Sequence, residues 1–129
     1  MTAEVVLDAS AVLAFLRAEP GAEAVLPHIG SAAISAVNLQ EVIKELALDG
    51  MSAEEATEVI DGLRLEVLPH DESAARTAGM LVLQTRRYGR GLGDRTCMAL
   101  GIALGVPVLT ADREWRRVTV EGLQLEHIR

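Results

Sequence analysis

Residues 92–112 read LGDRTCMALGIALGVPVLTAD. The first two thirds of this segment are apolar on nearly every helical face, which predicts a buried helix that begins near Asp94. Gly105 stands where a glycine commonly ends a helix. The β-branched and aliphatic run 106–109 then favours a buried parallel strand, with Asp112 beyond its end. Two carboxylates therefore bracket a predicted buried helix–strand unit.

Outside this unit the chain alternates predicted strands and helices. Strand-like runs lie at residues 4–8, 32–34, 65–68 and 123–128. Periodicity and capping residues predict helices at residues 9–18, 22–29, 36–48, 53–64 and 71–87, with a helical turn around Trp115. This alternation predicts an α/β fold with a central parallel β-sheet of about five strands and helices on both faces. Ligands of such sheets bind beyond the carboxyl ends of the strands, where the strand order reverses, and Asp8 and Asp112 both follow strands.

The composition indicates a small protein with an aliphatic core. A length of 129 residues predicts one domain, spanning residues 1–129, with its own core. Only one tryptophan, one tyrosine and one phenylalanine are present, so the core must be built from aliphatic side chains. The single cysteine, Cys97, excludes an intrachain disulfide and fits a reducing compartment. Because we find neither an apolar run long enough for a membrane nor a signal peptide, we expect a soluble cytoplasmic protein.

Charge is unevenly distributed along the chain. The net charge of −7 argues against indiscriminate binding to nucleic acid. Residues 86–117 nevertheless contain seven of the twelve basic residues and only three acids. A basic field of this kind attracts polyanions, and the candidates for phosphate contacts are Arg86, Arg87, Arg90, Arg95 and Arg113. The alternatives are a solvated arginine-rich helix end, or pairing of Arg95 or Arg113 with a neighbouring acid.

Each acid near a strand end also has an ordinary explanation. Asp94 and Asp112 can cap the helical segments that follow them, at about 1 kcal/mol each, and Asp8 can be a turn residue. Capping does not explain why three carboxylates should meet at one sheet edge, where they repel one another unless a cation lies between them. These side chains supply only oxygen ligands, which favours Mg²⁺ or Mn²⁺ over Zn²⁺. The other potential ligands lack zinc-ligand spacing: His28, His70, His127 and Cys97.

Four short motifs, in order and at this spacing, resemble those of the PIN-domain nucleases. They are VLDAS at residues 6–10, SAVNLQE at 35–41, LGD at 92–94 and LTAD at 109–112. In length and motif spacing the chain is most similar to the VapC-type toxins of bacterial toxin–antitoxin pairs. No single motif is specific to this family, but the four motifs together in a chain this short are specific. The match spans nearly the whole chain.

The resemblance implies a Mg²⁺-dependent endoribonuclease, with Mn²⁺ as the alternative ion. Its metal ligands and catalytic residues would be Asp8, Glu41, Asp94 and Asp112. The hydroxyls of Ser10 and Thr110 would orient these carboxylates. Metal ions held by acidic groups lower the pKa of a bound water and stabilise charge during attack on a phosphodiester, and the family's cut leaves a 5′-phosphate. The sequence departs from the family at Ala9, where a threonine is frequent.

Glu41 enters this set only through the resemblance. Its helix has a predicted buried stripe that includes Ile43. Helical spacing puts Glu41 on the polar side, away from this stripe, where a solvated glutamate is the default. Glu45 lies one turn further along the same side and is a candidate for a substitute or auxiliary ligand.

The first predicted helix is apolar on more faces than one core needs. Such a surface often marks a protein interface, although burial between the sheet and neighbouring helices explains it equally well. The resemblance implies a homodimer and a cognate VapB-type antitoxin, whose C-terminal segment lies in a groove near this helix and blocks the metal site.

Other α/β proteins fit the sequence less well. A phosphoacceptor receiver domain needs an acidic pair after its first strand and an aspartate ending its third, whereas Asp8 stands alone and Pro69 closes the third predicted strand. A haloacid-type phosphatase needs a second aspartate where Ser10 stands. The remaining alternative is a PIN-like module that binds RNA or a protein without cutting.

Overall fold

A computed structural model describes residues 3–129 of the protein. Its strands are β1 Val5–Leu7, β2 Ala32–Ser35, β3 Glu66–Leu68, β4 Val108–Thr110 and β5 Leu125–His127. In the described range they form one sheet in the order β3-β2-β1-β4-β5, and every neighbouring pair is parallel. The predicted α/β fold with a five-stranded parallel sheet is therefore confirmed.

Helices follow the strands as the capping residues predict. They are α1 Ala9–Leu16, α2 Ala22–Val25, α3 Ala36–Leu48, α4 Ala53–Gly62, α5 Glu72–Met80 and α6 Leu92–Leu104. Ser52 and Glu55 form a capping box at the start of α4. At the end of α6, Gly105 adopts a φ of +66°, a left-handed conformation that glycine takes without strain. Within residues 3–129, no helix has both the length and the apolar character needed to cross a membrane.

The sheet lies between two apolar layers. Val5 and Leu7 of β1 pack into a layer formed with α1, α2, α3 and α4, whereas Val6 faces the opposite layer with α5 and α6. Neighbouring strands alternate in the same way, since Leu109 joins the first layer and Val108 the second. This period of two is what a strand buried on both faces requires, and it confirms helices on both sides of the sheet.

The strand order reverses between β1 and β4. The chain first extends the sheet from β1 through β2 to β3, then returns to the other side of β1 with β4 and β5. Leu7 is in register with Leu109, and the backbone N–H of Asp8 donates to the carbonyl of Leu109 at 3.2 Å. The residues that follow β1 and β4 therefore emerge side by side, at the position where sheets of this kind bind ligands.

The predicted helix 71–87 is too long. α5 ends at Met80, and a 3₁₀ helix follows at Leu81–Leu83. The carbonyl of Leu81 accepts the N–H of Gln84 at 3.1 Å and the buried hydroxyl of Thr85 at 2.7 Å, and such a side-chain bond competes with a continuing α-helix. Arg95 Nε donates to the same hydroxyl at 2.9 Å. These bonds turn the chain away from the helix axis and towards α6.

The predicted faces of α3 are also partly wrong. Ile43, expected in the buried stripe, is 41% exposed, whereas Asn38 is only 2% exposed. The reason is that α3 packs on more than one side: Val42 and Leu46 pack into the core, and Asn38 contacts α6. A single apolar stripe therefore does not describe this helix.

Candidate functional site

The four predicted metal-ligating carboxylates all line one cavity of about 220 Å³ beside the reversal of strand order. Each comes from a different element: Asp8 follows β1, Glu41 lies in α3, Asp94 lies in the first turn of α6, and Asp112 follows β4. We call this space the acidic cavity. The sequence placed Asp8 and Asp112 at this edge by strand topology, and the structure brings Asp94 and Glu41 to the same place.

Asp8 is the most buried of the four, at 5% exposure. Its Oδ2 accepts a hydrogen bond from Thr110 Oγ1 at 2.5 Å, and its Oδ1 accepts from Ser10 Oγ at 2.7 Å and from the N–H of Ala11 at 2.8 Å. Burial nevertheless raises the pKa of Asp8 from its ordinary 3.8 to about 6, because these hydrogen bonds compensate only part of the lost hydration. The ionised carboxylate thus lacks a compensating positive charge.

Ser10 and Thr110 connect Asp8 to the end of β4. Ser10 Oγ accepts a hydrogen bond from the N–H of Ala111 at 2.9 Å, and Thr110 Oγ1 accepts one from the N–H of Asp112 at 3.0 Å. Since each hydroxyl also donates to Asp8, its single proton is directed at the carboxylate. Both hydroxyls therefore orient the Asp8 side chain.

Asp94 and Asp112 act as caps and also line the cavity. Asp94 Oδ2 accepts from the N–H of Gly91 at 3.1 Å at the start of α6, and Asp112 Oδ1 accepts from the N–H of Glu114 at 2.9 Å. Burial raises the pKa of Asp94, the hydrogen bond from Gly91 opposes this, and the charges of Asp112 and Glu41 raise it further. Capping and a shared site are therefore not exclusive explanations, since one oxygen of each carboxylate serves the cap and the other is left for a ligand.

Glu41 is half-buried rather than solvated, so the default expected from helical spacing is wrong. Its Oε1 accepts a hydrogen bond from Asn38 Nδ2 at 2.7 Å. The sequence reasoning assigned no role to Asn38. An available signal was its position three residues before Glu41, which places both on one side of a helix.

Glu45 also lines the acidic cavity, but both of its oxygens face cations of the chain. Arg17 Nη2 lies 3.5 Å from Oε1, and Lys44 Nζ lies 3.2 Å from Oε2. The charge of Glu45 is already compensated, so the structure does not favour it as a substitute or auxiliary ligand.

The arrangement fits a hard divalent cation that keeps part of its water. Within residues 3–129, no three Asp, Glu, His or Cys side chains already stand close enough together to enclose a metal ion. Mg²⁺ does not need such a cage, because it commonly retains several waters and binds through one or two carboxylates. All the acidic ligands offer oxygen, and the pKa values of Asp8 and Asp94 are raised as expected for carboxylates that lack a counter-charge.

The five candidate arginines belong to the described part of the chain, and none of them lines the acidic cavity. Arg95 bonds the side chain and carbonyl of Thr85, at 2.9 and 3.3 Å, rather than an acid. The others are exposed: Arg86, Arg87, Arg90 and Arg113. Arg95 thus has a structural partner, whereas the other four present their charge to solvent.

Helix α1 is largely accounted for by the core. Ala11, Val12 and Ala14 are buried, and Leu13, Phe15 and Leu16 are half-buried against the same layer. Leu13 also lines the acidic cavity. Burial between the sheet and neighbouring helices therefore explains most of the apolar character of α1, and Leu13 remains partly exposed beside the cavity.

Comparison with known proteins connects this fold to one family. The family model described as the PIN domain matches residues 5–121. A comparison with curated protein sequences finds no match. Among solved structures, the chain is similar to DNA-bound VapBC from Salmonella typhimurium, with a TM-score of 0.73, 24% identity, and complete coverage of both chains.

Two further solved structures show the same fold. One is VapBC2 from Rickettsia felis bound to a promoter DNA fragment, with a TM-score of 0.72, 19% identity, and coverage of 95% of this chain and 97% of that one. The other is VapBC-1 from nontypeable Haemophilus influenzae, with a TM-score of 0.70, 22% identity, and coverage of 96% and 97%. Because the family model matches residues 5–121, which is most of the sequence, the chain belongs to the PIN domain family.

Proposed function

We propose that the protein is a metal-dependent endoribonuclease and the toxin of a type II toxin–antitoxin system. The observation that carries the proposal is the convergence of four carboxylates, from four separate elements of a PIN domain, on one cavity at the reversal of strand order. Similarity to several VapBC structures supports the toxin part of the proposal.

The residues that would hold a Mg²⁺ or Mn²⁺ ion are Asp8, Glu41, Asp94 and Asp112. When bound there, a divalent cation neutralises these carboxylates and stabilises the negative charge that develops on a phosphodiester under attack by water. Ser10 and Thr110 hold Asp8 in one orientation through their hydroxyl protons, as positioning residues.

Hydrolysis by water fits the chain better than attack by the RNA 2′-hydroxyl. The latter reaction usually employs paired histidines as acid and base. His28, His70 and His127 all lie in the described range, and none of them lines the acidic cavity. Attack by water leaves no 2′,3′-cyclic phosphate, and the resemblance to PIN-domain nucleases adds the expectation that the products carry a 5′-phosphate.

RNA would be bound outside the cavity by arginines that remain available. Arg86, Arg87, Arg90 and Arg113 are exposed and are the proposed phosphate contacts, whereas Arg95 is engaged with Thr85. Phosphate contacts position the strand without reading its sequence. This local basic segment counteracts the repulsion between an acidic protein and a polyanion.

The proposed partners are a VapB-type antitoxin and a second copy of the chain, in the cytoplasm. A segment lying along the half-buried residues of α1 would also cover the acidic cavity, because Leu13 belongs to both surfaces. An antitoxin bound there would exclude RNA from the carboxylates.

Induced expression in a bacterial host tests the toxin proposal. The wild-type protein should arrest growth, and Asp94→Asn should not. Asp71→Asn is the control, since Asp71 is an exposed aspartate that also caps a helix, α5, but does not line the acidic cavity. Equal growth arrest by Asp94→Asn would contradict the proposal, and RNA binding without growth arrest or cutting would favour the non-catalytic PIN-like module.

A further inference from the structure

The side chain of Glu41 is held by hydrogen bonding where α3 contacts α6. Asn38 Nδ2 donates one hydrogen bond to Glu41 Oε1 at 2.7 Å and a second to the carbonyl of Gly93 at 3.0 Å. Asn38 is 2% exposed. Its amide therefore joins the glutamate on α3 to the first turn of α6, immediately before Asp94.

The two hydrogen-bond partners of Asn38 explain why an amide stands here. Both partners are acceptors, so only a side chain with two N–H donors can serve them together. A serine or threonine hydroxyl donates once, and an aspartate or leucine at this position donates nothing. Asn38 Oδ1 is meanwhile buried without a hydrogen-bond partner in residues 3–129, an arrangement that costs free energy. The two hydrogen bonds that the amide donates, rather than a gain in stability, explain why an asparagine occupies position 38.

Gly93 provides the space that the Glu41 carboxylate occupies. A Cβ added at residue 93 would lie 2.6 Å from Glu41 Oε2 and 2.7 Å from its Cδ, closer than real Cβ atoms approach other atoms. Residue 93 lies inside α6, where alanine is the better helix former. The glycine is therefore explained by the carboxylate packed against it and not by the helix.

We infer that Asn38 and Gly93 form a socket that holds the Glu41 carboxylate at the wall of the acidic cavity, with Asn38 as a positioning residue. The inference rests on the proposed metal-dependent function. A flexible glutamate beside other carboxylates would otherwise turn towards solvent, because like charges repel. The socket keeps Glu41 beside Asp94 before any cation is present, so that less ordering is required on binding.

A double-mutant cycle on Mn²⁺ binding tests the role of Asn38. Its variants are Asn38→Leu, Glu41→Ala and the double mutant, with affinities measured by titration calorimetry and folding checked by circular dichroism. Loss of a group that orients a metal ligand typically weakens metal affinity about 10- to 100-fold. We expect a loss of that size for Asn38→Leu in the wild-type background and little further loss in the Glu41→Ala background, because Asn38 acts through Glu41.

Alanine substitutions at two glycines, one in the socket and one as a control, give an independent test that does not disturb the core. Gly93→Ala places a methyl group where Glu41 lies and should weaken Mn²⁺ binding about tenfold, on the same ground that ligand orientation sets affinity. Gly79→Ala is the control, since residue 79 is also helical and a Cβ there meets no atom within 4 Å. It should bind Mn²⁺ as the wild type does.

The outcomes separate the inference from the function on which it rests. If the wild-type protein binds Mn²⁺ and cuts RNA while Asn38→Leu and Gly93→Ala bind the ion equally well, the socket is wrong and the function stands. If Asn38→Leu weakens Mn²⁺ affinity equally in the wild-type and the Glu41→Ala backgrounds, Asn38 has a general structural role, and the inference is also overturned. If the wild type binds no Mn²⁺, the proposed function and the inference both fail. Should Asn38→Leu not fold, Asn38→Ser retains one donor and should show a smaller loss in the same cycle.

Discussion

The burial of Asp8 predicts an unusual dependence of stability on pH. The folded state raises the pKa of Asp8 from 3.8 to about 6, so between these values the folded protein holds a proton that the unfolded chain releases. The stabilisation is fully present below pH 3.8 and is lost as the pH rises through about 6. At 1.36 kcal/mol per pKa unit, the total loss is about 3 kcal/mol, and roughly half of it falls between pH 5 and pH 8.

Asp8→Asn removes this titration and nearly preserves the shape of the side chain. The amide oxygen can still accept from Ser10 and Ala11, and the amide nitrogen can donate to Thr110 Oγ1. In chelator, the stability of Asp8→Asn relative to wild type should therefore rise by about 1.5 kcal/mol between pH 5 and pH 8.

Urea unfolding at a series of pH values measures this difference directly, because titrations common to both proteins cancel. Asp71→Asn changes an exposed helix cap, and its stability difference from wild type should stay constant over the same pH range. Saturating Mg²⁺ should stabilise the wild type more than Asp8→Asn, since a ligand stabilises the state that binds it. A difference between Asp8→Asn and wild type that does not grow with pH would refute the reasoning.

Three further predictions concern other parts of the site. Thr110→Val removes the hydroxyl that donates to Asp8 at 2.5 Å and should destabilise the protein at neutral pH by about 2 kcal/mol, measured by urea unfolding; an unchanged midpoint would contradict this. Phe15→Glu should weaken antitoxin binding more than Mn²⁺ binding in calorimetric titrations, and equal losses or failure to fold would contradict the role of α1. Arg90→Ala should weaken RNA binding and lower the slope of log Kd against log [salt] by about 1. An unchanged slope would exclude a phosphate contact.

Sheet topology made part of the site predictable. Asp8 and Asp112 follow strands, and the reversal of strand order between β1 and β4 brings the ends of those strands together. Asp94 was recognisable because it begins a helix that is apolar on nearly every face. For these three residues, the local sequence pattern and the overall fold indicate the same location in the site.

Glu41 was not predictable from pattern, for a physical reason. Its helix packs against the core on one side and against α6 on another, and the amide of Asn38 donates a hydrogen bond across the contact with α6. Hydrophobic periodicity detects only apolar burial, so it assigned Glu41 to solvent and Ile43 to the core. Only the family motif indicated that Glu41 belongs to the site.

The end of α5 shows a second limit of sequence reasoning. Helical periodicity continued to residue 87, but the hydroxyl of Thr85 competes for the carbonyl of Leu81 and in turn accepts from Arg95 of α6. Because that partner lies elsewhere in the sequence, no local pattern near residue 85 reports it.

Cleavage of total bacterial RNA by the purified protein tests the central claim most directly. The reactions contain Mg²⁺ or chelator, with Asp94→Asn and the control Asp71→Asn in parallel. We expect cuts at defined positions, with 5′-phosphate ends, that require both Mg²⁺ and Asp94 and are retained by Asp71→Asn. Undiminished cutting by Asp94→Asn, or no cutting by a folded protein that binds Mg²⁺, would contradict it.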